Sequence, residues 1–154
     1  MLVVICIVFS GVWYNFTMNE MYNMGLGIHS VGEIVLLAVI LGNILYLKMA
    51  TSLKKYKRVM SVVLVPLTAS IIGFAIFTGI IMMAAKHLDF TLENIVMILI
   101  SLILIFLEVK RIKNLRYVNV NKERALEAYK AFGLKILLLE FLLVLLISLW
   151  MWLI

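Results

Sequence analysis

A chain of 154 residues carries one cysteine, one proline and eight acidic side chains, and each scarcity excludes something. Cys6 has no partner within the chain, so an intrachain disulfide and a C-x-x-C redox or zinc motif are both excluded. Pro66 is the only proline and no Gly/Ser-rich tract occurs, which leaves no linker and predicts a single domain over 1–154. A Gly-rich phosphate loop, a nucleophile elbow, an H-E-x-x-H run and a ladder of Asp and Glu are all missing. Catalytic residues are therefore unknown from sequence, and an enzyme built on this chain would need a cofactor or a redox partner.

What is present is apolar. Hydrophobic residues make up 66% of the chain and its mean hydropathy is +1.17, whereas soluble domains are about 45–50% apolar. The formal net charge of +6 is sorted by position. Lys48, Lys54, Lys55, Lys57 and Arg58 form one basic group, and Lys110, Arg111, Lys113, Arg116, Lys122, Arg124, Lys130 and Lys135 form another, with only Lys86 apart. That is the Lys/Arg asymmetry of a membrane protein whose basic loops face the cytoplasm. It argues against nucleic acid as partner and for the lipid bilayer, with anionic lipid at the cytoplasmic face attracted by about 1 kcal/mol per basic residue.

The hydropathy pattern predicts an all-α, polytopic transmembrane bundle of five helices with antiparallel neighbours. They fall at about 1–16, 25–47, 59–85, 92–107 and 132–154, with a basic cytoplasmic segment at 108–131. The polar stretch 17–24 reads as an outer loop, and Met18, Met21 and Met24 as alternative starts that would remove the first helix. Residues 1–16 lack a basic n-region and a small-x-small cleavage site, so a signal peptide is not expected. Five spans and the basic loops give an N-terminus inside and a C-terminus outside, in a bacterial cytoplasmic (inner) membrane. Ala69 with Gly73 and Ala75 with Gly79 repeat the small-xxx-small spacing of close helix packing. Thr91 or Asp89 is placed to cap the fourth helix, and Trp150 and Trp152 suit the outer interface.

The run GLGIHSVGEIVLLAVILGNILYL, 25–47, organises the rest because it carries His29, Glu33 and Asn43 where a lipid-facing helix would carry none. At about 100° per residue Glu33 and Asn43 each fall within about 60° of His29, so one face of the helix is polar and looks toward protein or a cavity. His87, beyond the outer end of the next helix, is expected at the same depth as His29. Two imidazoles so placed can ligate one haem iron or one metal ion; Met82 and Met83, one turn earlier, add thioethers that favour copper(I). Glu33 would then accept the other N–H of His29. The competing reading is a structural His29–Glu33 hydrogen bond, a solvated His87 and methionines that pack. Glu140, in the last helix, must be paired, protonated or interfacial, since a centred carboxylate costs about 2.5–3.5 kcal/mol on insertion scales. Lys48, Lys57 and Arg58 are its expected partners, and Glu108 and Glu93 read as interface charges.

The stretch GLGIHSVGEIVLLAVILGNILYLKM resembles the first segment of the small bacterial membrane proteins grouped as HemJ-type protoporphyrinogen oxidases and CopD-type copper-resistance proteins. KRVMSVVLVPLTASIIGFAIFTGI is similar to the family's next helix, with a basic start, a Pro and a Gly. The resemblance implies that His29 corresponds to the functional His and that haem b or copper is the cofactor. The Lys it also implies near the start of the following helix is absent from Thr91-Leu92-Glu93-Asn94-Ile95. Three functions are then expected in turn. The first is a haem- or metal-associated redox membrane protein with His29, His87, Glu33 and Met83 at its site. The second is a small transport component with Glu33, Asn43 and Glu140 along a polar path. The third is a non-catalytic membrane subunit or scaffold with a membrane protein partner.

Overall fold

The structure, a computed structural model, describes the backbone of residues 2–87, 91–119 and 124–153, and their side chains from Glu20 onward except Trp152. The side chains of Cys6 and Trp152, and all of Asp89 and Lys122, lie outside the described residues. Five α-helices and one π-helical segment occur among the described residues, and no strand. They are α1 (Leu2–Met49), α2 (Leu53–Val59), the π segment Met60–Leu64, α3 (Val65–Ala85), α4 (Leu92–Tyr117) and α5 (Ala125–Leu153).

Among the described residues these elements make four spans rather than the five expected. Glu20–Met49, Leu53–Ala85, Leu92–Tyr117 and Ala125–Met151 are each long and apolar enough to cross a membrane. The expected outer loop at 17–24 is absent because α1 runs through it unbroken. TMNEMYNM contains neither Gly nor Pro, and polarity by itself does not interrupt i→i+4 hydrogen bonding.

In the second span, α2, the π segment and α3 follow one another without a gap. Pro66 lacks an N–H and its ring crowds the carbonyl four residues back, at Val62; that carbonyl lies within the π segment, whose wider turn relieves the clash. The helix closes at Lys86, and His87 takes a left-handed conformation (φ 54°) with its N–H on the carbonyl of Ala84 at 3.2 Å.

Thr91 caps α4 as expected, its hydroxyl accepting from the Asn94 N–H at 3.4 Å. Two boundaries move. α4 continues past 107 to Tyr117, and α5 begins at Ala125 rather than 132, so the basic connector shrinks from 108–131 to 118–124.

The spans form a ring in which α1 packs on α3 and α5, and α4 packs on α5 and, most loosely, on α3; every neighbour is antiparallel. Leu36, Ile40, Leu47, Tyr56, Met60 and Leu137 lie at its centre. In the most apolar window of each span only 17–33% of residues are buried, so most of the apolar surface faces outward, as it would toward lipid. Close approach holds such helices together, since lipid removes the hydrophobic drive for helix to meet helix. Gly133 shows it: a Cβ there would stand 2.9 Å from Leu47 Cδ2. Of the two small-residue pairs, Ala75 and Gly79 turn inward, whereas Ala69 and Gly73 are exposed.

Candidate functional site

Antiparallel packing of α1 on α3 fixes the surroundings of His29. Lys86 Nζ lies 4.1 Å above the Tyr22 ring, Gly25 faces Met82, and Gly32 faces Phe74, so His29 meets Thr78 and Gly79. Its Nδ1 is 2.7 Å from Thr78 Oγ1. The Thr78 hydroxyl donates to its own helix, 3.0 Å from the carbonyls of Phe74 and Ala75, so it accepts from Nδ1–H. The other ring nitrogen, Nε2, is then directed at Glu33 Oε1, 3.6 Å away, which is an ion-pair distance but longer than a hydrogen bond. The second carboxylate oxygen of Glu33 accepts from Ser148 of α5 at 3.1 Å. Three spans thus meet on one imidazole and one carboxylate.

His29 and Glu33 form the polar wall of a cavity of about 350 Å³ in the half of the bundle away from the Lys48 end of α1. Its other walls are apolar, from Ile80 and Met83 of α3, Ile98 and Leu102 of α4 and Ile147 of α5, and it lies at the loose α3–α4 seam. Asn94 and Ser101 add polar atoms from α4, although the Ser101 hydroxyl already donates to the Met97 carbonyl at 2.9 Å.

The structure brings Met83 and Glu33 to His29 but leaves His87 elsewhere. The α1–α3 register pairs His29 with Thr78 and Gly79, and His87 lies eight residues beyond Gly79 on the same chain direction, about 12 Å at 1.5 Å per residue. The shared depth expected for the two histidines fails because α1 does not begin near His29 but runs on through 17–24. His87, by contrast, lies just past the end of α3, about two turns beyond the level of His29. Both nitrogens of His29 also face protein groups already, and among the described residues no group of three His, Cys, Asp or Glu is arranged to hold a metal ion. The residues present do not fit a bis-histidine haem or a closed metal site.

Asn43 and Glu140 are buried, at 1% and 3% exposure, yet neither lines the cavity. Asn43 Nδ2 donates to Thr68 Oγ1 at 3.3 Å, and Thr68 in turn to the Leu64 carbonyl at 2.8 Å. Apolar side chains of Leu36, Ile40, Leu137 and Val144 fill the core alongside these polar groups. The polar path expected through Glu33, Asn43 and Glu140 is not continuous.

Glu140 does not pair with Lys48, Lys57 or Arg58. Lys57 Nζ donates to the Arg116 carbonyl at 2.9 Å, and the Lys48 carbonyl receives Lys130 Nζ at 2.9 Å. The charges that act on Glu140 are Arg111 and Glu108. Arg111 is fully buried and forks onto Glu108, Nε to Oε2 at 2.8 Å and Nη2 to Oε1 at 2.7 Å. Its Nη1 reaches Met60 Sδ at 3.5 Å, and the Tyr56 hydroxyl meets the same sulfur at 3.7 Å. Tyr46 stacks on Tyr56 with centroids 5.6 Å apart, and Tyr129 tilts against it at 5.7 Å. This second cluster was missed because 108–131 read as a cytoplasmic segment; the Glu108–Arg111 spacing, i to i+3 after an apolar run, was the available signal.

Compared with models of known protein families, with curated proteins and with solved structures, the chain matches none.

Proposed function

We propose that this integral membrane protein binds an amphiphilic molecule, apolar in body and cationic at one end, in the cavity between its spans, and carries it rather than conducting it through a pore. The observation that supports the reading is the composition of the cavity wall. An apolar chamber of about 350 Å³ at the loosest helix seam ends on one carboxylate, Glu33, one oxygen of which sits 3.6 Å from His29 and lacks a tight partner. Pockets for small molecules are of this kind, mostly apolar with a few convergent polar groups. A cation gains most from a carboxylate where water is scarce. The apolar packing of Leu36, Ile40 and Val144 favours a carrier over an open channel.

The proposed location is the bacterial cytoplasmic membrane, with the basic ends of the spans inside. Four spans then put the C-terminal end outside, in keeping with the sequence. An N-terminus inside required a turn at 17–24, and α1 has none, so the start of the first span at Glu20 belongs outside as well.

Binding of tetraphenylphosphonium, a lipophilic cation, to the purified protein in nanodiscs tests the reading. Glu33→Gln is expected to weaken it at least tenfold, equivalent to about 1.4 kcal/mol, with little change for a neutral apolar analogue. Equal affinity in the wild type and Glu33→Gln would overturn it.

A further inference from the structure

The cluster around Arg111 lies outside the cavity and contains one carboxylate too many. Glu108 and Arg111 neutralise each other through a two-pronged contact. Glu140, on α5, is 3% exposed and near enough for the charges of Glu108 and Arg111 to act on it, and its Oε1 has no hydrogen-bond partner. Among the described residues no Lys or Arg stands within ion-pair distance of it. An ionised carboxylate in that position would be costly, by about 2.5–3.5 kcal/mol on insertion scales at a helix centre.

The charged groups that act on Glu140 are Arg111 and Glu108 of α4. Around that fork, Tyr56 of α2 shares the Met60 sulfur with Arg111, and Tyr46 of α1 and Tyr129 of α5 pack on Tyr56. Asn43 Oδ1 also lacks a hydrogen-bond partner. With Leu47 against Gly133 and Glu33 against Ser148, Glu140 comes about one turn from the level of Asn43. A proton on Glu140 would add a donor close to the level at which the Asn43 carbonyl lacks one.

Arg111 has unused donor strength on the side away from Glu108. Its Nη1 is placed against a thioether, a weak acceptor that a carboxylate would displace. Met60 opens the π-helical segment of the second span, so whatever holds or releases its sulfur acts at the irregular point of that span.

We propose that Glu140 is a proton-binding site inside the bundle, and that loss of its proton transfers Arg111 Nη1 from Met60 Sδ to Glu140. In the protonated state the three groups sum to zero charge: Arg111 positive, Glu108 negative, Glu140 neutral. On release the proton passes to water, Arg111 keeps its own protons, and the cluster becomes net negative by one, with the guanidinium shared between two carboxylates. Met60 Sδ then keeps only the Tyr56 hydroxyl, which couples proton occupancy to the π segment. The site stands apart from the cavity at Glu33, and neither reading depends on the other.

Infrared spectroscopy of the full chain in nanodiscs tests it, through the carbonyl stretch of a protonated carboxyl and its shift in D₂O. The wild type and Glu33→Gln are expected to show this band at neutral pH and to lose it reversibly as the pH is raised. Glu140→Gln should lack the band, and Glu140→Asp, which keeps a carboxyl, should show it displaced. Met60→Leu removes the competing sulfur and should move the loss of the band to lower pH. Identical spectra for the wild type and Glu140→Gln at neutral pH would overturn the proton site, and an unchanged midpoint in Met60→Leu would overturn the transfer of Arg111.

Discussion

Glu33 and Ser148, 115 residues apart in the chain, are joined by a hydrogen bond of 3.1 Å that ties the first span to the last. The bond occupies one carboxylate oxygen and so orients the other toward His29 and the cavity. Interhelical hydrogen bonds in membranes average about 0.6 kcal/mol. Ser148→Ala is expected to lower stability by about that amount and to weaken tetraphenylphosphonium binding less than Glu33→Gln does. Unfolding in mixed micelles and a binding isotherm measure the two effects separately.

The Glu108–Arg111 fork predicts a marked asymmetry between single and double substitution. Arg111→Met alone strands Glu108 in a buried setting and is expected to cost about 3–5 kcal/mol. The double variant Glu108→Leu with Arg111→Met removes both charges and should recover much of the loss. Equal unfolding free energies for the single and double variants would show that the pair is not buried as described.

Gly133 of α5 makes room for the Leu47 side chain of α1. A Cβ at this position meets Leu47 Cδ2 at 2.9 Å and the Tyr129 ring at 3.4 Å, so Gly133→Val forces the fully buried Leu47 side chain to shift. Overpacking of this kind costs about 1–3 kcal/mol. Gly79→Ala is the contrasting case, because its Cβ would lie at an ordinary 3.7 Å from His29 Cε1. Thermal unfolding in detergent should separate the two variants clearly.

Four spans put both ends of the bundle on one face of the membrane. With Cys6 replaced by Ser, single cysteines introduced at Glu20 and at Leu153 should react with an impermeant maleimide from the same side, and one at Lys54 from the other. Labelling of Glu20 and Leu153 positions from opposite sides would restore an odd number of spans.

The apolar spans, the Thr91 cap and the inward turn of Ala75 and Gly79 were legible because each rests on local chemistry: hydropathy, a hydroxyl before a helix, small residues at i and i+4. Polarity at 17–24 misled, since it marks exposure to water rather than a break in hydrogen bonding, and α1 continues through it. The histidines misled for another reason. The helix start expected at residue 25 is not an end of α1, and the pairing of His29 with Thr78 puts His87 about two turns away. The charged neighbours of Glu140 were hidden in the same manner, because Glu108 and Arg111 open a stretch dense with exposed basic residues, through which α4 extends to Tyr117. Which of fourteen basic side chains turns inward is a matter of helix length and phase.

The most direct test of the central claim fills the cavity without touching its carboxylate. Ala75 lines the chamber from α3, and Ala75→Trp would occupy much of its roughly 350 Å³ while leaving Glu33, His29 and Ser148 in place. Measured by equilibrium dialysis in nanodiscs, tetraphenylphosphonium binding should fall at least tenfold in this variant although the protein remains folded. Full affinity in a folded Ala75→Trp protein would place the ligand elsewhere and contradict the account.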